Sequence, residues 1–417
     1  MKAWPLTVRG TGAVVLAGVS LLLAGELGVV ELVYVAVLLL AAVAAALATL
    51  YLARRSDAVA RAFDPDVATV GAECTVTVWV ALRGALPASQ GRWSDALGPG
   101  LYGRAEGVFP ATGPGSADRT LELDYRVRTD LRGIRPVGPL TVVVTDPFGF
   151  ARRRHVLGGR TPLTVTPALV PLAGLRGLPG EAGGSLHSAT HQLGQGSDNL
   201  IPRAYAPGDS MRRIHWRSSA HHDALMVRQE EQESTPDATV VLDRSLHRWE
   251  REALQTPGAD PGFESAMSAC LSAVARLVRE GYDVATLDSD GAALGEPVRS
   301  GDEAGIEELA IGLATLTARR EDRLADLRRV FGTATTGPLV VIVGRFDEQD
   351  AATLAPLAAR ATFPVLLAVA PVRRALAHAA AAGWHAAAIG PDLDLAAAWE
   401  RATGWAGARG GGDRVAG

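Results

Sequence analysis

The sequence predicts a multidomain chain in three parts: an N-terminal two-helix transmembrane hairpin, a β-sandwich-like domain and a C-terminal α/β domain of Rossmann type. Three observations predict it. Apolar residues concentrate in two runs near the start. Residues 62–175 carry short alternating runs between Pro and Gly turns, and after residue 236 strand and helix patterns take turns. With 417 residues, 48% of them hydrophobic and 21% charged, the chain has room for two or three packed domains and is not a disordered tail.

The hairpin comes first. Residues 32–53 hold no charge over a length that crosses a bilayer, which takes about 20 apolar residues. Residues 10–25 are shorter but extend at either end into a second span, and Glu26 and Glu31 bracket the turn. Lys2 and Arg9 precede the first run, Arg54, Arg55 and Arg61 follow the second, and the turn carries no positive charge. By the positive-inside rule both ends lie in the cytoplasm: residues 1–9 form a cytoplasmic N-terminus, 10–55 the hairpin, and the rest a cytoplasmic body on a multi-pass cell-membrane protein. The competing reading of the first run is a cleaved signal peptide, since small residues follow a basic start. Cys74 and Cys270, two in all, form no disulfide framework and read as reduced, buried thiols.

Over 62–175, residues 75–80, 121–127 and 140–144 alternate with period two, as half-buried strands do. Asp146-Pro147-Phe148-Gly149 reads as a turn, and Arg132-Gly133 and Gly138-Pro139 as two more. The run Arg152-Arg153-Arg154 has two readings, a solvated strand end and a contact with the inner membrane surface.

From 236 to 405, apolar strands at 238–242, 282–287, 339–343, 363–370 and 386–389 alternate with helical patterns at 263–278, 306–316 and 395–402. That order implies a parallel sheet, whose ligands lie beyond the carboxyl ends of the strands. Asp243 and Ser245 stand at such a place and offer hard oxygens of the kind Mg²⁺ prefers. The other reading of Asp243 is a carboxylate capping nearby backbone N–H groups. Residues 406–417, rich in Gly, read as a flexible tail.

Between the two domains, within a segment spanning 176–235, lies a block dense in Arg, aromatic and acidic residues. Arg203, Arg212, Arg213, Arg217 and Arg228 can pair with Asp209, Asp223 and the Glu230-Glu231-Glu233 run, with Tyr205 and Trp216 as stacking faces. A self-neutralising network and a docking surface for a partner protein are both open readings of this block. Zinc spacing, a Gly-x-Ser-x-Gly nucleophile frame and a P-loop are all missing; Lys2 is the only lysine, which excludes a P-loop ATPase.

The run RAYAPGDSMRRIHWRSSA, followed by LMVRQEEQE and TVVLDRS, resembles the signature of the bacterial domain-of-unknown-function family number fifty-eight. RGIRPVGPL, DPFGFARR and TVTPALVPL upstream agree with it. The resemblance places the signature on Arg203, Tyr205, Pro207, Gly208, Asp209, Arg212, Arg213, His215, Trp216, Ser219, Ala220 and Arg228. It implies a von Willebrand factor A-like C-terminal domain and partnership with a MoxR-type AAA+ ATPase, often beside a membrane transglutaminase-like protein, without established catalysis. A metal-ion-dependent adhesion site on this pattern has Asp-x-Ser-x-Ser; here Asp243 and Ser245 match, His247 replaces the second Ser, and Gly344-Arg345 replaces a Thr-Asp pair, with Asp347 two residues late. The metal site at Asp243 and Ser245 is thus degenerate, and Ala204 stands where the family commonly shows Glu.

The function expected from these features is a membrane-anchored interaction or scaffold protein, not an enzyme and without a cofactor, acting in complex assembly or envelope maintenance. A divalent-metal enzyme using Asp243, Ser245 and Asp347 is the alternative. Nucleic-acid binding is disfavoured, since the net charge is −4 and acidic residues thread the arginine block.

Overall fold

The computed structural model describes residues 4–52, 58–83, 91–109, 118–175, 236–332, 335–372 and 374–404, together with the backbone of 200–204 and 226–230. Two compact units emerge, Met1–Leu169 with Arg251–Glu264 and Ala310–Ala318, and Val170–Glu250 with Ser265–Leu309 and Arg319–Gly417.

In the first unit, α1 (Val8–Leu27) and α2 (Glu31–Leu52) are each long and apolar enough to cross a membrane. The Thr7 hydroxyl caps α1 by accepting from the Gly10 amide at 3.2 Å, and Gly28, at φ 70°, closes it in the left-handed region that favours Gly. Gly10, Ala13, Ala17, Ser20 and Ala24, which α1 buries, are all small and recur every three or four residues, a pattern that lets backbones approach. Larger side chains such as Leu22 and Leu38 face outward, 73% and 71% exposed.

Two sheets share one core beside these helices. The first runs in the order β1 (Ala58–Asp64), β3 (Glu73–Arg83), β7 (Asp118–Thr129), β5 (Leu101–Gly103). The second runs β2 (Val67–Thr69), β10 (Thr161–Thr166), β8 (Gly133–Thr145), β4 (Gly91–Leu97), β6 (Glu106–Phe109). Every pairing is antiparallel except that of β2 with β10. The period-two pattern does what it implies: Cys74, Val76, Val78 and Val80 on β3 and Leu123, Tyr125 and Val127 on β7 are buried and meet Val137, Leu140, Val142 and Val144 of β8.

Four details correct the sequence reading. Ala46 and Leu50 of α2 belong to this core, so the last two turns of that helix pack on the sheets and do not simply end a span. Gly138-Pro139 is no turn. It lies inside β8 with a cis peptide, where β8 passes from pairing with β10 to pairing with β9 (Arg152–Leu157). Arg61, read as a flanking charge, is buried in a bidentate pair with Asp95, at 2.9 Å from each oxygen, and Tyr125 donates to the same carboxylate at 2.8 Å. Of the basic run, Arg153 is not a loose strand end: it stacks 4.4 Å from the Tyr51 ring centroid and donates to the Leu50 carbonyl at 2.9 Å. The turn at 146–149 forms as its residues dictate, with the Asp146 carboxylate accepting from the Phe148 and Ala151 amides and Gly149 at φ 76°.

Arg251–Glu264 and Ala310–Ala318, expected in the α/β domain, group with the first unit. The fully buried Arg132 explains this, since it donates to both Glu264 oxygens at 2.8 Å and to the carbonyls of Leu313 and Ala314.

The second unit contains a parallel sheet in the order β14 (Asp283–Asp288), β13 (Asp237–Leu242), β15 (Leu339–Phe346), β16 (Pro364–Pro371), β17 (His385–Ala388). Continuous apolar runs such as Leu339 to Val343 are buried throughout, as strands covered on both faces must be. Helix Pro261–Arg279 follows β13, and from Ser265 onward it lies in this unit, burying Met267, Cys270, Leu271, Val274 and Leu277. Helices Glu348–Ala358 and Ala375–Ala381, which the sequence reading did not identify, link β15 to β16 and β16 to β17. The sheet grows outward from β13 in both directions, so its order reverses there, at the carboxyl ends of β13, β14 and β15, the place where sheets of this kind bind ligands. A separate ribbon, β11 (Leu200–Ala204) with β12 (Met226–Glu230), pairs antiparallel.

Candidate functional site

Three strand ends build the site. β13 ends at Leu242 and delivers Asp243, β14 ends at Asp288 and delivers Ser289, and β15 delivers Gly344 and Arg345. Asp243 is fully buried. Its Oδ1 accepts from the Ser245 hydroxyl at 2.6 Å, the Ser289 hydroxyl at 2.9 Å and the Ser245 amide at 3.3 Å. Its Oδ2 stands 2.9 Å from Nε of Arg248, close as an ion pair though the two are not aligned as a hydrogen bond. Trp249 donates its indole N–H to the Asp243 carbonyl at 3.0 Å.

Arg248 is the hub. Its guanidinium donates to both oxygens of Asp350, one of them at 2.8 Å, and to the Arg345 carbonyl at 3.2 Å, and it lies 3.6 Å from Asp322. Gly344 makes room for it, because a Cβ there would collide with the Arg248 carbonyl oxygen. A second knot adjoins the first: Asp288 meets Arg319 at 3.2 Å and Arg244 at 3.3 Å, Arg319 also pairs with Asp290, and it donates to the Ser289 hydroxyl at 3.1 Å. Ser289 therefore accepts from Arg319 and donates to Asp243, which couples the knots through one hydroxyl.

Burial pushes the Asp243 carboxyl pKa up, against the donors Ser245 and Ser289 and the Arg248 charge, which hold it down. Asp288 is raised for the same first reason, opposed by the Ser289 amide and by Arg319 and Arg244. On Arg248 burial favours the neutral form, but Asp350, Asp243 and Asp322 outweigh it and raise its pKa.

Ser245 donates its hydroxyl proton to the Asp243 carboxylate, and the nearby His247 pairs with Asp322 at 3.3 Å, both about half exposed. A divalent ion does not fit this arrangement. The oxygens of Asp243, Ser245 and Ser289 converge as hard ligands would, but the Arg248 guanidinium already holds the free carboxylate oxygen, and a second cation there would meet its charge. Asp347, the third residue of the metal alternative, caps helix Glu348–Ala358 by accepting from the Asp350 amide at 2.9 Å.

Of the residues singled out from sequence, the structure brings Asp243 and Ser245 together. Arg203 and Arg228 lie on the neighbouring strands β11 and β12, one register step apart: Arg203 pairs with Val227 and Arg228 with Pro202. Tyr205, Pro207, Gly208, Asp209, Arg212, Arg213, His215, Trp216, Ser219 and Ala220 lie outside the described residues. Sequence reading missed Arg248, Ser289, Asp288, Asp322, Arg319 and Asp350. Asp288 ends a strand and Ser289 follows it, so both were open to the rule that singled out Asp243. Arg319 and Asp322 sit in an irregular stretch with no periodic signal.

No curated protein matches the chain. Among the solved structures that resemble it, two cover about a quarter of the chain. One is the CARDB domain of a Pyrococcus furiosus protein, described with di-metal ions, at 14% identity, covering 26% of this chain and 87% of that one with a TM-score of 0.18. The other is the cohesin module of a Clostridium perfringens family 33 glycoside hydrolase, at 12% identity, covering 27% and 96% with a TM-score of 0.18. Superpositions this loose carry no functional argument. The family comparison reaches the site itself: residues 202–353 match the profile described as protein of unknown function DUF58, which spans the β11–β12 ribbon, the Asp243 loop and β15 through Asp350. Over that segment the chain matches the DUF58 family model.

Proposed function

We propose that the chain is a membrane-anchored interaction protein without chemistry of its own, whose α/β unit is von Willebrand factor A-like and whose 203–228 block docks a MoxR-type AAA+ ATPase on the cytoplasmic side. The observation that carries the non-catalytic half is the Arg248 clamp. The acid best placed for chemistry, Asp243, is sealed from solvent and matched by a fixed guanidinium. Anchoring is supported by α1 and α2, whose large apolar side chains are outward and exposed, as lipid-facing residues are and as core helices of soluble proteins are not. Docking is supported by the family resemblance of the block and by the approach of its two ends on β11 and β12.

A pull-down of the full chain from detergent extracts, with and without ATP, tests the partnership. Enrichment of an AAA+ ATPase that depends on nucleotide is the expected result. Its absence under both conditions counts against this reading.

A further inference from the structure

A groove of about 1110 Å³ runs along α1 where the turn at 146–149 and the start of β9 lie against it, lined by Trp4, Arg9, Val15, Leu16, Val19 and Arg152 among others. Its two ends differ in chemistry. Arg9 is in the first turn of α1, with its guanidinium against Gly149, and Arg152 is tied to the same end because its amide donates to the Pro5 carbonyl at 2.8 Å. Both arginines are exposed, and no acidic partner faces either among the described residues. The nearest carboxylate on this turn, Asp146, is 3% exposed and occupied by the Phe148 and Ala151 amides.

The other end is apolar. Val15, Leu16 and Val19 are 60%, 54% and 44% exposed and share one helix face with Val8 and Gly12. From Arg9 to Val19 the helix rises about 15 Å, which is half the roughly 30 Å hydrocarbon core and hence the depth of one leaflet. Trp4, 66% exposed, lies at the charged end, where an interfacial aromatic belongs.

We propose that this groove is a binding site for one anionic phospholipid, its phosphate held by Arg9 and Arg152 and an acyl chain laid along Val15, Leu16 and Val19. The proposal rests on the reading of α1 as membrane-embedded. It adds that the first unit selects its lipid by headgroup, because two unpaired guanidinium groups flank a slot deep enough for one chain. A zwitterionic lipid offers the same tail but cancels its phosphate charge.

The test uses the full chain, delipidated in detergent and returned to phosphatidylglycerol or phosphatidylcholine, with bound lipid counted by native mass spectrometry. One phosphatidylglycerol per chain is expected, favoured about tenfold over phosphatidylcholine. The double substitution R9Q/R152Q should abolish that preference, V15W should lower retention of both lipids by filling the slot, and R154Q, a charge on the same strand outside the groove, should change neither. Equal binding of the two lipids, a preference that survives R9Q/R152Q, an equal loss with R154Q, or displacement by millimolar inorganic phosphate would each overturn the proposal. Alkaline carbonate extraction of membranes separates the two readings: release of the chain defeats the anchoring itself, whereas a retained chain without lipid preference defeats the lipid site alone.

Discussion

Asp243 keeps its carboxylate where no water reaches it, with two serine hydroxyls and an amide on one oxygen and Arg248 beside the other. Removing one partner of a buried ion pair leaves the other uncompensated, so Arg248→Ala should cost about 3–5 kcal/mol of stability, while Asp243→Asn combined with it should cost less than the two changes summed. Urea unfolding of the single and double variants reads this coupling; strict additivity would contradict the pair. A pH effect follows from burial. The Asp243 pKa is raised on folding, so the folded chain holds a proton that the unfolded chain has released. That contribution is complete below the unfolded value of about 3.9 and is lost as pH rises through the folded one. Wild type should therefore lose stability relative to Asp243→Asn as pH rises above about 4, with Asp288 cancelling because both proteins contain it. A stability difference that stays constant across this range would contradict the raised pKa.

Elements were legible wherever one period governed a whole segment. Cys74, Val76, Val78 and Val80 alternate because β3 has one buried face, and the run from Leu339 to Val343 is unbroken because β15 has two. Mixed instructions were harder. Gly138-Pro139 carries every sign of a turn, yet it serves as the point where one long strand exchanges partners, and only the positions of β9 and β10 reveal that. Helix Ala375–Ala381 is nearly all Ala, so it shows no apolar stripe to read. The packing of α1 also depends on one position without a side chain. Gly10 lies so close to the Phe150 carbonyl that any Cβ collides with it. Gly10→Val should lower the stability of the first unit by about 1–3 kcal/mol, seen as a lower melting temperature and faster proteolysis of the detergent-solubilised chain. An unchanged melting temperature would show that the turn at 146–150 does not press on α1.

Across the whole molecule, the sequence reading of two apolar helices followed by strand-rich and strand-helix regions corresponds to the elements observed, and the family resemblance is matched over 202–353. The charged network was far less legible. Its members come from 243–248, 288–290, 319–322 and 350, and no local spacing announces that they meet. The proposed division of labour puts anchoring in α1 and α2 and recognition in the block between β11 and β12, beside an ionic cluster that ties the sheet end together. The most direct test places a photo-crosslinking residue at Arg212 in the full chain and identifies adducts formed in living cells. The account predicts a nucleotide-dependent adduct with an AAA+ ATPase in the membrane fraction. Adducts confined to the chain itself, or the same ATPase captured equally from a crosslinking residue at the exposed Tyr102 of β5, would contradict it.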